Sequence, residues 1–220
     1  MENFEIRDLK SPLFDGVSAD ELNSMIHCLN PQRRNFAKGE RIYDYGQVDA
    51  DIGLVRSGQV HVVKEDFWGN CSILAEVGPG EVFGEAYAAA PGVPVEVAAV
   101  AVKPSEVIFL GMQPLLTTCS NACPFHNRMI SNLLGIMARR NLQLTRKLEC
   151  MAQRTTRDKL LTYLSGEAKR RQSAKFTIPF NRQQLADYLS VDRSAMSTEL
   201  GRLRDEGVLR FHKNEFELLK

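Results

Sequence analysis

The segment from residue 125 to about 152 contains no proline and a single glycine, and its apolar residues recur at helical spacing. Ile130, Met137, Leu144 and Met151 stand seven apart, with Leu133, Leu134 and Leu148 alongside, which is the stripe of a coiled-coil seam. At 1.5 Å per residue such a helix is about 40 Å long. A helix packed on its own neighbouring domain is one reading. A small domain cannot cover a stripe of that length alone, so a homodimer seam is favoured, although Arg140 and Lys147 fall at in-between seam positions.

This rod divides a chain of 220 residues, long enough for two domains that each bury a core. Before it, residues 1–30 suggest short helices, with Ser18 and Glu21 spaced as a capping box. From about 33 to 110, β-type runs such as "IGLVRSGQVHVVKED", "CSILAEV" and "SEVIFL" are punctuated by glycines, the pattern of a sandwich or small barrel. Gly69-Asn70 offers a hairpin turn. After the rod, "RDKLLTYLSGEAKRR" predicts an amphipathic helix, "KFTIPF" a short strand and "VLRFHKNEFELL" a closing hairpin. The expected boundaries are 1–124 for the β-domain, 125–152 for the linking and dimerisation helix, and 153–220 for the C-terminal domain.

Charge is divided in the same way. Residues 151–220 hold 14 Lys+Arg against 9 Asp+Glu, whereas 1–150 hold 14 against 18. A basic end on an acidic body suggests a polyanionic partner there. Five cysteines at irregular intervals argue against a disulfide framework. No run approaches the roughly 20 apolar residues of a membrane span, and the start lacks a signal-peptide core, so a cytoplasmic protein without a membrane partner is expected.

The C-terminal stretch "NRQQLADYLSVDRSAMSTEL" reads as two helices across a tight turn. Asn181 can cap the first, with Gln184 completing a capping box; Leu185 and Leu189 line its inner face, and Ala186 permits a close crossing. Asp192 caps the second, whose Met196, Leu200 and Leu203 share one face at about 100° per residue. Arg193, Ser194, Ser197, Thr198, Gly201 and Arg202 remain outward. A solvated helical hairpin would look similar residue by residue. The pair followed by a hairpin makes a winged helix-turn-helix, in which arginine can bond guanine O6 and N7 and hydroxyls can bond phosphate or a base edge.

Residues 181–219, the glycine-punctuated β-region with "GPGEVFGE", and the long helix together resemble the Crp/Fnr family of bacterial transcription regulators over nearly the whole chain. The resemblance implies an α+β architecture: an N-terminal β-roll (a double-stranded β-helix of the cyclic-nucleotide-binding type), a long dimerisation helix and a C-terminal winged helix. It implies that Arg193, Ser194 and Thr198 read bases, that Ser197 and Gln183 contact phosphate, and that Arg202 lies on the same DNA-facing side. It also implies a homodimer on a pseudo-palindromic operator, with recognition helices about 34 Å apart, and RNA polymerase as a further partner if the regulator is an activator. Two positions depart from the pattern. Ser190 stands where the turn usually has glycine, and Thr198 where many members have a second base-reading arginine.

In cyclic-nucleotide-binding rolls a Gly-Glu pair is followed, after a short loop, by Arg-Ser or Arg-Thr; the glutamate holds the ribose and the arginine neutralises the cyclic phosphate. Here Gly84-Glu85 is followed by Val95-Glu96. A carboxylate in place of the cation repels a phosphate, so cyclic AMP and cyclic GMP are not expected as effectors. Gly84, Glu85, Val95 and Glu96 remain the candidate effector positions. Val93, Val95, Val97, Ala99 and Tyr87 would suit an uncharged ligand but read more simply as roll core.

Other chemistries have less support. Cys119, Cys123 and His126 lie close together, so a metal, haem or redox sensor is conceivable. Packing is the simpler role, and no metal or cofactor is expected. The iron–sulfur branch of the family uses an N-terminal cysteine cluster, where this chain has only Cys28. A metal enzyme on a roll would need several histidines, and residues 33–110 contain only His61. No nucleophile–base pair or phosphate loop appears, so no catalytic residue is expected. A winged helix that binds protein is the remaining alternative.

Overall fold

The computed structural model describes residues 10–48, 50–68, 71–116 and 124–219; the side chains at 25–28 and 124 lie outside that description. The chain divides into two compact units, Met1–Ala138 and Arg139–Lys220.

The first unit opens with a 3-10 turn at Pro12–Phe14 and helix α1 (Ala19–Leu29). The expected capping box forms at α1: Ser18 N–H donates to Glu21 Oε2 (2.7 Å) and Glu21 N–H to Ser18 Oγ (3.3 Å). Eight strands follow: β1 (Gln32–Phe36), β2 (Arg41–Tyr43), β3 (Ile52–Ser57), β4 (Val60–Glu65), β5 (Cys71–Val77), β6 (Val82–Phe83), β7 (Ala98–Ala101) and β8 (Ser105–Leu110). Short helix α2 (Glu85–Ala88) lies between β6 and β7, and α3 (Met112–Leu116) follows β8. The strands form two antiparallel sheets, β1-β8-β3-β6 and β2-β7-β4-β5.

Alternation along the strands builds two cores. Val55, Val107, Phe83 and Phe109 pack with Val60, Ala99 and Ala101 of the other sheet, filling the roll. Their neighbours Leu54, Ile108, Val82 and Leu110 pack on the helical side, against Leu13, Leu22, Leu29 and Leu115. A strand buried on both faces is apolar throughout, which accounts for runs such as "VIFL". Strand β5 is an edge, exposed except at Val77. Glu65 pairs with Cys71; the Gly69-Asn70 turn expected between them lies outside the described residues.

The predicted rod forms as α4 (Pro124–Met151) and is shared between the units. Met129 and Leu133 are buried in the core of the first unit, with Ile136 and Met137 packed against it. Further along, Cys150 enters the core of the second unit. Leu134, Leu144 and Leu148 are 67%, 62% and 65% exposed. Leu133, grouped with the seam in the sequence, thus faces the roll, while Leu142 and Met151 are exposed on α4 as well.

The second unit continues with α5 (Thr156–Arg171), β9 (Lys175–Thr177), α6 (Arg182–Leu189), α7 (Arg193–Asp205), β10 (Leu209–His212) and β11 (Glu215–Leu218). The strands form one antiparallel sheet, β10-β11-β9. Leu160, Leu164, Leu185, Leu189, Met196, Leu200, Leu203 and Phe216, each at most 1% exposed, form its core. The winged helix expected from the sequence is therefore present as a unit with its own interior. Among the described residues, no helix is long and apolar enough to cross a membrane.

Candidate DNA-reading helix and effector roll

Helix α6 begins as the sequence predicts. Asn181 Oδ1 accepts from Gln184 N–H (3.0 Å) and Gln184 Oε1 accepts from Asn181 N–H (2.9 Å). It ends at Ser190, whose φ of +51° places it in the left-handed region, where a side chain carries a steric cost that glycine avoids. Lys159 Nζ donates to the carbonyls of Leu189 and Ser190 at 3.2 and 3.3 Å, so a cation satisfies the open carbonyls of the helix end. Asp192 then caps α7, its Oδ1 accepting from Ala195 N–H at 2.8 Å. The Ser194 hydroxyl and this backbone group hold the Asp192 carboxyl below its ordinary value of 3.8.

Met196, Leu200 and Leu203 are buried, and the rest of the α7 surface is open: Arg193, Ser194, Ser197, Thr198 and Arg202 are all exposed. The guanidinium of Arg193 has no partner among the described residues. That of Arg202 is committed: its Nη1 lies 3.3 Å from Glu199 Oε2, and Glu199 also pairs with Arg157 of α5 at 3.1 Å. Arg157 bonds Glu206 as well, and these carboxylates raise its pKa above the usual arginine range. Gln183 is exposed on α6 and donates to Asp187 Oδ1 (2.8 Å).

Thr155 and Thr156, at the start of α5, were not singled out in the sequence. They line an open cleft of about 700 Å³ together with Ser194 and Thr198. Thr155 caps α5, accepting from Asp158 N–H at 3.0 Å. The first turn of a long helix thereby adds its positive dipole end to the α7 surface. Some forty residues of sequence separate the two groups, so periodicity could not have linked them. Arg182 lies over the rings of Phe211 and Phe216 at 4.7 and 5.2 Å, fastening α6 to the wing; burial lowers its pKa.

In the roll, Gly84 has φ +77° and a Cβ there would meet Tyr43 Cε2 at 2.6 Å, so only glycine fits. Tyr43 donates its hydroxyl to Asp51 O and packs on Phe83 and Phe109. Burial, followed by the charges of Asp51 and Glu85, pushes its pKa well above the usual tyrosine value. Glu85, 4% exposed, opens α2. Val95 is 1% exposed and belongs to the roll core, as do Ala99 and the partly buried Val97 and Tyr87, whereas Glu96 and Val93 are exposed. Cys119 and Cys123 lie outside the described residues. His126 is fully buried, and among the described residues neither ring nitrogen is hydrogen-bonded. Among the described residues no cluster of His, Cys, Asp and Glu could hold a metal ion.

Comparison with known proteins matches residues 33–122 to a cyclic nucleotide-binding domain and residues 158–220 to a Crp-like helix-turn-helix domain. The chain belongs to the Crp/Fnr family. It is 27% identical to the cyclic AMP receptor protein of Thermus thermophilus over 94% of this chain and 92% of that one. The crystal structure of the Thermus thermophilus catabolite activator protein superposes with a TM-score of 0.50 at 27% identity, covering 94% and 93% of the two chains. The c-di-GMP responsive regulator CLP of Xanthomonas campestris gives a TM-score of 0.54 at 20% identity, over 90% of this chain and 99% of that one, and shares the fold. As a Crp/Fnr protein the chain is a transcription regulator with a DNA-binding winged helix, and not an enzyme.

Proposed function

We propose that the chain acts as a cytoplasmic homodimer on a pseudo-palindromic DNA operator and that its roll responds to an effector other than cyclic AMP or cyclic GMP. One observation carries the choice of effector. From Gly84 to Val102, where a cyclic phosphate would be gripped, the chain holds two carboxylates, Glu85 and Glu96, and no Lys or Arg. An anion leaving water needs a cation or a converging set of N–H donors. A carboxylate offers neither, and at about 4 Å in a partly buried site two like charges repel by about 4 kcal/mol. The Thermus relative is named a cyclic AMP receptor; that property does not carry over onto this charge pattern.

The effector shifts the population between two dimer geometries that differ in the placement of the α7 helices. On DNA, Arg193 reads a base and the start of α5 faces the phosphates. Isothermal titration of the full-length dimer with cyclic AMP and cyclic GMP is expected to give no heat of specific binding. Saturable binding in the micromolar range overturns the effector assignment.

A second reading, metal or redox sensing through Cys119, Cys123 and His126, has one observation in its favour. Among the described residues the fully buried His126 ring has no hydrogen-bond partner, and leaving such a group unsatisfied costs about 1–3 kcal/mol. If the histidine only packs, His126→Leu should leave stability unchanged or raise it by about 1 kcal/mol. Stoichiometric metal in anaerobically purified protein would establish the sensor instead.

A further inference from the structure

The hydroxyls on the open face of α7 have their protons assigned by chemistry. Thr198 Oγ1 lies 3.0 Å from the carbonyl oxygen of Ser194, and Ser197 Oγ 2.8 Å from that of Arg193. Ser194 Oγ lies 2.6 Å from Asp192 Oδ1. A carbonyl or an ionised carboxylate can only accept, so each hydroxyl is the donor in its bond. What these side chains turn outward is lone pairs. Phosphate oxygens also only accept, so none of the three can donate to the DNA backbone without giving up its bond to α7. The same holds for the acceptor edges of guanine (O6, N7) and thymine (O4). The only major-groove groups that match an outward lone pair are the exocyclic amines, N6–H of adenine and N4–H of cytosine.

Position narrows this further. At 100° per residue, Ser194 and Thr198 lie one turn apart on the ridge opposite the buried Met196, Leu200 and Leu203. Gly201 follows with no side chain to reach a base, and the next cation, Arg202, is tied to Glu199. Arg193, exposed in the first turn of α7 about 100° round the helix from Ser194 and with no partner among the described residues, is the donor beside this ridge. We propose that Arg193 reads a guanine and that Thr198, with Ser194 above it, reads an adjoining adenine or cytosine as a hydrogen-bond acceptor. This deepens the DNA-binding reading and rests on it.

The test is selection of bound duplexes from random DNA at low ionic strength, with and without a low-molecular-mass cell filtrate, using the full-length wild type and Thr198→Val. Valine keeps the shape and helix propensity of threonine and removes the oxygen. The wild type is expected to enrich a guanine with an adenine or cytosine beside it. T198V should retain the guanine and lose roughly threefold to tenfold of the discrimination at the neighbouring position, the worth of one hydrogen bond. Thymine or guanine at that position, or a T198V motif identical to that of the wild type, overturns the assignment while leaving DNA binding intact. Enrichment of no sequence overturns both.

Discussion

Truncating Leu144 to alanine should weaken the dimer and leave each subunit folded. The side chain is 62% exposed on α4, so in a single chain it contributes little to the core, and alanine is the best helix former. Substitutions at such exposed positions usually change stability by about 0.5 kcal/mol or less. Fully burying a leucine is worth about 1.5–3 kcal/mol, and the exposed fraction here leaves about 1–2 kcal/mol to be gained on association. A two-fold seam contains the residue twice, for about 2–4 kcal/mol in total, somewhat less because alanine keeps one methyl. At 1.4 kcal/mol per tenfold, the dimer dissociation constant should rise by roughly 10-fold to several hundred-fold. Sedimentation equilibrium over a concentration series measures it, with thermal unfolding as the control. Leu133→Ala should behave oppositely, destabilising the roll by about 2–5 kcal/mol, because that leucine is 4% exposed within the roll core. A Leu144→Ala protein with unchanged self-association would refute the seam.

Arg193→Ala should lower affinity for a selected operator by about 1–3 kcal/mol, read by fluorescence anisotropy; Arg202→Ala should cost less, since its guanidinium is already engaged by Glu199. Ser190→Gly should raise the stability of the C-terminal unit by about 0.5–1 kcal/mol, because φ is +51° there, and a lower melting temperature would contradict the backbone assignment. The Asp192 carboxyl titrates below its ordinary 3.8 in the folded protein. Its capping contribution is therefore fully present above the unfolded value and is lost as pH falls through the folded one. The acid limb of unfolding should accordingly be shallower in Asp192→Asn than in the wild type below about pH 4.

The C-terminal unit was legible because its signals are local. A cap, its reciprocal glutamine and two leucines four apart lie within a single turn or two, and the capping box at Asn181 and Gln184 forms as spaced. The roll was legible from strand alternation and glycine punctuation for the same reason. What the sequence left open is decided by distant partners. Leu133 and Leu134 are equally apolar neighbours, and only the roll core determines which turns inward. Arg202 reads as a free cation until Glu199, itself held by Arg157 from forty-two residues away, claims it. Arg182 shows no preference in sequence; two rings of the wing fix its place. The hydroxyls of Ser194, Ser197 and Thr198 read as polar and outward in the sequence, but whether each donates or accepts follows from bonds within α7 that periodicity cannot express.

The central claim is that the exposed face of α7 binds duplex DNA as one half of a dimer, and the salt dependence of that binding tests it most directly. Titrating the protein onto a two-fold-symmetric duplex between 50 and 200 mM salt should show affinity falling by about 10³–10⁵ if six to ten phosphates are contacted, with one dimer per duplex. An affinity independent of salt, or no binding at 50 mM, would contradict the account.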